Sequence, residues 1–558
     1  MTDALRNITT RQTPQTEKAD PSQIRNDAGG FTFKADDLNI LRRFLATGVE
    51  GGTYYVGEKE QAVRASQHLL DLIRARPNDV LATVLDMSER GATTKQQPLM
   101  FTLAALSGAE DPDVRKAALD ALPRIARTAS HLFLFASYVE QFRGWGKGLR
   151  KAVARWYADK EVDALAYQIE KYRSREGFTH RDLMLLSHLG SAQSKTEADD
   201  PSRVALYKHA AGKEVVGKEF LLLPQAARLA ARLAETQTVE ETVEAIRSTE
   251  GVSWEMVQSE HLGDRRVWEA LLDGGHVPIT ALLRNLARLT ANGTLDPFGQ
   301  DDRTARVIGR LRDPEVLAKG RVHPMSVLLA AATYKAGRSL RGSSTWHPIP
   351  NIEKALDAGF MAAIPGITPE PDVKVMLGVD VSGSMDGGSV GGLPLTPRDA
   401  AGALGMALAA QFPSNMGVAF TGSGGWSSDA DNTLTPINLD PARRVVDLIA
   451  EMKSLRFGRT DCSLPILYAL DAMNKGASPR IDAFVVLTDN ETYAGRMHPH
   501  QALRQYRERT GIPARMVTVS MTYNHSTIAD PNDPLMLDVV GLDSNAVSLV
   551  GDFIAGRV

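Results

Sequence analysis

The chain has 558 residues, of which 43% are hydrophobic and 23% charged, and a formal net charge of −3. That is the composition of a soluble globular protein too long for one ordinary core, so at least two domains are expected. No apolar run reaches the roughly 18 residues of a membrane span, Met1–Arg6 has no apolar signal-peptide core, and Cys462, the single cysteine, excludes an internal disulfide and argues against a cysteine-based zinc site; a cytoplasmic protein with no membrane partner is expected.

Residues 1–24 are polar and aperiodic and read as a flexible N-terminal arm. From Phe31 to about residue 360 the pattern is helical, broken by short Gly, Pro and Asp stretches. The clearest unit is residues 111–122: Asp111-Pro112 opens a helix, and Val114, Ala117, Ala118, Ala121 and Leu122 form one apolar stripe at helical spacing. This is the pattern of a HEAT-type repeat. Residues 226–234, 279–291 and 325–334 carry similar stripes without a clean period, so a degenerate helical solenoid over 25–368 is expected.

From Val373 onward strands alternate with helices, the mark of a doubly wound α/β domain over 369–558. Helices are expected at 400–412, 441–453, 464–473 and 500–510, and strands at 416–420, 483–487 and 515–521. The first strand lies in the stretch 372–385 and is broken by Ser382-Gly383-Ser384, which places Asp380, Ser382 and Ser384 in the loop at a strand's C-terminal end, where open α/β sheets place their ligands. Three hard oxygen donors at i, i+2 and i+4, one of them charged, suit a Mg²⁺-like ion, with Mn²⁺ as the alternative. Thr460, after a predicted helix, and Asp489, after the 483–487 strand, add a hydroxyl and a second carboxylate from two further loops. The Gly-rich stretch 386–395 directly after the first loop reads as a mobile insertion that could shield or open the ion.

Several chemistries are missing. No Gly-Lys-Ser/Thr closes a glycine-rich loop, and one metal with mostly neutral ligands lacks the paired carboxylates of two-metal phosphoryl transfer. No enzyme activity is expected. Charge is uneven: residues 1–370 carry 49 basic and 47 acidic side chains, the remainder 15 and 20. Arg143, Lys147, Arg150, Lys151 and Arg155 crowd one helical stretch, followed by Lys171, Arg173, Arg175 and Arg181; a solvated helix face is the ordinary explanation of such a run, nucleic-acid binding the other.

The set Asp380-x-Ser382-x-Ser384, Thr460 and Asp489 resembles the metal-ion-dependent adhesion site of von Willebrand A domains. With the helical repeats before it, and with Asn26–Phe31, Glu50–Tyr55, Thr93–Gln96, Trp145–Lys147, Leu282–Leu286, Gly458–Pro465, Thr488–Thr492 and Ile528–Pro531, the chain resembles the Ro ribonucleoprotein autoantigen family, the TROVE-module proteins, in a bacterial-type form. The resemblance implies a monomeric ring of helical repeats closed by the A-type domain. It implies a scaffold for small Y-like noncoding RNA and for single-stranded ends of misfolded RNA, acting in noncoding-RNA quality control or processing. An exoribonuclease is an implied partner; DNA is not. Ser382, Ser384 and Thr460 are implied as direct metal ligands, with Asp380 and Asp489 acting mainly through water. Lys171, Arg175 and His188 are the implied outer RNA contacts, joined by Lys147, Arg150 and Lys151, with Lys171 and Arg175 expected one turn apart on one helix face. The rival reading is a protein-adhesion adaptor whose metal grips a partner's carboxylate while the solenoid binds peptides.

Overall fold

The computed structural model describes residues 12–557 apart from 50–52, 54, 190–199, 340–342, 365–366, 391–393, 423–432, 456 and 475–479. Helices dominate from Asp37 to Ala362, and a six-stranded sheet follows. The helix Pro112–Ile125 shows how local sequence sets these elements. Asp111 caps it by accepting from Asp113 N at 2.8 Å, Pro112 fits the first turn where no N–H is needed, and Val114, Ala118, Leu119, Ala121, Leu122 and Ile125 are buried. Ala117, expected within the stripe, lies outside it and is exposed. Among the described residues no helix is long and apolar enough to cross a membrane.

The sheet contains β5 (Val375–Asp380), β6 (Asn415–Thr421), β7 (Thr433–Pro436), β8 (Ala483–Thr488), β9 (Arg515–Ser520) and β11 (Met536–Val540), in the order β11-β9-β8-β5-β6-β7. All pairs are parallel except the edge pair β6–β7. β5 is central and buried at every position, which is why its sequence is a continuous apolar run. Val375, Leu377 and Val379 face one way and join the apolar cluster that runs through the helical array; Met376 faces the other way, among Phe484, Val486 and Tyr506. A Cβ on Gly378 would lie 2.8 Å from Pro465 Cγ, so only glycine lets the helix Leu464–Asn474 start this close to the strand.

The chain closes on itself. At the start of the array, Arg43 on the helix Asp37–Thr47 is fully buried; its Nη2 bonds both carboxylate oxygens of Asp538 on β11 at 2.7 Å, and its Nη1 donates to the carbonyls of Asn524 and Ser526 at 3.0 and 2.8 Å. At the other end Arg444 pairs with Asp357 at 2.9 Å and Glu353 at 3.1 Å on the helix Pro350–Ala362, and Lys335 pairs with Asp447.

The segment expected as a free arm is instead attached where it is described. β1 (Ile24–Arg25) pairs with β2 (Phe31–Lys34), and β2 with β10 (Ser526–Thr527) of the C-terminal domain. Gln15 is fully buried and uses its whole amide: Nε2 donates to Asp461 Oδ1 at 2.9 Å and Met497 O at 2.8 Å, while Oε1 accepts from Thr492 Oγ1 at 2.6 Å and Gly495 N at 3.1 Å. A buried amide with every bond satisfied holds a segment despite its polar sequence. Residues 1–11 lie outside the described residues. The stretch after the first metal loop is likewise tied down in part, since Asp386 pairs with Arg398 at 2.9 Å and Val390 is buried and donates to Leu395 O; residues 391–393 lie outside the described residues.

Candidate metal centre and basic groove

The C-terminal ends of β5 and β8 and the loop before the helix Leu464–Asn474 meet at one point. Asp380 Oδ1 accepts from Ser382 N at 2.8 Å and Oδ2 accepts from Thr488 Oγ1 at 2.6 Å, so one carboxylate oxygen is oriented by its own loop and the other by the end of β8. The Ser382 and Ser384 hydroxyls are 3.2 Å apart, and Ser384 hydrogen-bonds Asp489. Thr460 is held next to them because its carbonyl accepts from Tyr493 N at 3.1 Å and Ala494 N at 3.0 Å, and Gly383 N donates to Gly458 O at 3.1 Å. Behind the first loop the buried Arg398 donates to Val381 O and Ser382 O at 2.9 and 3.2 Å. Asp380, Ser382, Ser384 and Asp489 are therefore brought together, with the Thr460 loop bonded to the first loop through Gly458, and none of the five predicted metal residues is more than 4% exposed.

The carboxylates of this cluster crowd one another. Burial, then the neighbouring Asp380 charge, pushes Asp489 up to about 7; burial also raises Asp380. Glu491 is pushed up to about 8, first by burial and then by Asp489, although Ala28 N donates to it at 2.9 Å. Buried like charges are relieved by a retained proton or by a cation, and hydroxyls with carboxylates are the hard donors that a small divalent ion takes. The residues present fit such an ion. Among the described residues no group of three or more His, Cys, Asp or Glu side chains could hold a metal, so any ion here depends on the hydroxyls. Cys462 is fully buried beside Thr488, and burial holds its thiol protonated.

The expected RNA contacts lie on several elements. The helix Val162–Lys171 ends at Lys171, and Arg175 lies in β3 (Ser174–Arg175), which pairs with β4 (Phe178–Thr179); the two cations are therefore not on one helix face. Lys171 is only 13% exposed, lies 3.6 Å from Glu255 and sits over the rings of Tyr167 and Tyr172. Its ammonium is already engaged. Arg175 is exposed, as is His188, which caps the helix His180–Ser187 in the left-handed region at φ 55°. On the helix Lys147–Ala158, Lys147 and Lys151 are exposed and Arg150 is half-buried.

Lys151 lines a groove of about 810 Å³ between that helix and Pro112–Ile125, with Arg115, Lys116, Arg143 and Arg155 as further cations and Asp120 and Asp159 as the opposing carboxylates. Arg155 is paired with Asp120 at 2.8 Å, Arg115 bonds the carbonyls of Ala109 and Glu110, and Arg143 that of Ser107, which leaves Lys116 and Lys151 as the most exposed cations of the groove. Arg115 and Lys116 were missed from sequence because they lie on the polar face of a helix read for its apolar stripe. A second cavity, about 470 Å³, is lined by Thr93–Gln96 together with Thr280, Leu283, Arg284, Arg321 and Thr333; two motif stretches nearly 190 residues apart in sequence thus share one wall.

A closed helical-repeat array joined to an α/β domain with this loop cluster defines a protein class. Family models match throughout: the TROVE domain at residues 24–248 and 239–363 and the Ro60 vWA domain at 374–554. The chain belongs to the Ro60 family. It is 34% identical to the RNA-binding protein RO60 of Deinococcus radiodurans over the full length of both chains, and 30% identical to the RNA-binding protein RO60 of Caenorhabditis elegans, covering 98% of this chain and 92% of the relative. The crystal structure of the Deinococcus radiodurans RO (RSR) protein superposes with a TM-score of 0.66 at 32% identity, over 94% of this chain and all of that one.

Proposed function

We propose that this protein is a non-enzymatic RNA-binding scaffold that carries a small structured Y-like RNA on its outer face. It takes single-stranded ends of misfolded RNA into the cavity beside Thr93–Gln96, serves noncoding-RNA quality control, and holds one divalent cation, Mg²⁺ or Mn²⁺, at Asp380, Ser382, Ser384, Thr460 and Asp489. The observation that carries the reading is the groove in which Lys116 and Lys151 stand exposed beside three arginines. Cations set along a groove between two helices match the charge of an RNA backbone, whose neutralisation supplies a large share of the affinity. Support also comes from full-length relatives named as RNA-binding proteins. Arg175 and His188 extend the surface, whereas Lys171 reaches RNA only by giving up Glu255. When bound, the cation supplies the positive charge that Asp380 and Asp489 lack, and the three hydroxyls orient it.

The test is a structured small RNA titrated at several salt concentrations. Lys116→Ala combined with Lys151→Ala removes up to two phosphate contacts, so the slope of log affinity against log salt falls by about 0.7–0.9 per contact. Folding stability changes by no more than about 0.5 kcal/mol, as for surface substitutions generally. Equal affinity and equal slope in the double variant would remove the groove from the RNA surface.

A further inference from the structure

Tyr55 belongs to the helical part of the chain, yet its phenol hydroxyl is hydrogen-bonded with the Ser384 side chain and lies close to Asp489 and Tyr493. It is delivered by a turn in which Thr53 N donates to Val56 O at 2.8 Å and Val56 N to Thr53 Oγ1 at 3.1 Å, with Val56 buried. The helix Glu58–Ala75 that follows is fixed to the C-terminal domain: Gln61, itself buried, donates to Tyr523 O at 2.8 Å, and His68 packs edge-on against His525 at 5.6 Å. The approach of Tyr55 is therefore set by a local turn and by the helix that follows it, through bonds independent of the metal residues.

We propose that Tyr55 closes the mouth of the metal centre from within the same chain, its hydroxyl taking the place that a partner's carboxylate would need. This rests on the divalent-cation reading of the site. Three observations carry it. The five candidate ligands are at most 4% exposed, so an outside group must first displace whatever covers them. What reaches Ser384 from outside its own domain is an aromatic side chain with one polar tip. The hydrogen-bond capacity also closes, because the Ser384 hydroxyl has one proton, directed at Asp489, and the phenol has one to give to Ser384 Oγ. The centre is then an internal fastening between the helical array and the α/β domain, closed to carboxylates on other molecules.

The experiment uses the full-length protein with Mn²⁺ as the ion and acetate as the carboxylate, read by water-proton relaxation of bound Mn²⁺. In the wild type, millimolar acetate leaves the relaxation of the bound ion unchanged. In Tyr55→Ala and in Tyr55→Phe, which keeps the ring and removes only the hydroxyl, water and then acetate reach the ion, with acetate binding strengthened about tenfold or more. Should Tyr55→Ala fail to fold, Tyr55→Phe decides. Equal acetate response in wild type and variants overturns the closure while leaving the metal reading intact; Mn²⁺ binding to none of the forms overturns both.

Discussion

Arg43→Ala lowers the stability of the folded chain by about 3–5 kcal/mol, the cost of breaking a buried ion pair by removing one partner. Arg43 has no exposed surface, and its two terminal nitrogens serve both Asp538 carboxylate oxygens and two main-chain carbonyls. Truncation leaves the Asp538 carboxylate, 9% exposed, and the Asn524 and Ser526 carbonyls without that partner. Because these groups join the first helix of the array to the edge of the sheet, the loss is expected to open one of the two junctions that close the chain. Arg43→Lys restores little, since an ammonium cannot reproduce the planar fork. Denaturant midpoints with solution scattering measure both effects: a lower midpoint and a larger radius of gyration are expected in the alanine variant. A shift worth less than about 1 kcal/mol with unchanged dimensions would show that closure does not depend on this side chain.

The elements that carry the site were legible because their sequence signals are local. β5, β8 and β9 are runs of Val, Leu and Met bounded by polar loops, and the structure places them within two residues of expectation. The helix expected at 441–453 begins four residues later, at Val445, because Asp440 and the residues after it form a turn with Asp440 Oδ1 accepting from Ala442 N. β7, β10 and the β1–β2 pair were missed for a common reason. They are two to four residues long, too short to show a period, and β2 pairs with β10 nearly 500 residues away. The attachment of Gln15 was hidden in the same way, since nothing in a polar segment announces a buried acceptor elsewhere in the chain. The error over Lys171 and Arg175 was avoidable. Glu176 and Gly177 both have positive φ, 53° and 79°, and an X-Gly pair between Ser174-Arg175 and Phe178-Thr179 is a hairpin signal that overrides i, i+4 spacing.

Asp380→Asn abolishes divalent-cation binding and alters the pH dependence of the metal-free protein. In that protein Asp489 keeps its proton up to pH about 7, whereas the unfolded chain releases it near 3.8. Folding therefore takes up a proton between those values, and the stability of the metal-free form falls as pH rises from about 4 to about 7. Glu491, raised to about 8, has the same sign and extends the fall upward. A bound ion needs the ionised carboxylate, so Mg²⁺ affinity climbs by about tenfold per pH unit below 7 and levels above it, and the stabilisation by the ion grows over the same range. Asn at 380 keeps an acceptor for Ser382 N and removes the charge that, after burial, contributes most to the Asp489 shift. The variant's metal-free stability should accordingly fall less steeply with pH, and Mg²⁺ should leave its melting temperature unchanged. Calorimetric titration with Mg²⁺ and melting curves across pH 5 to 8 measure both. If the variant binds the ion with wild-type affinity, or if wild-type affinity does not change with pH below 7, the five residues do not form the metal centre.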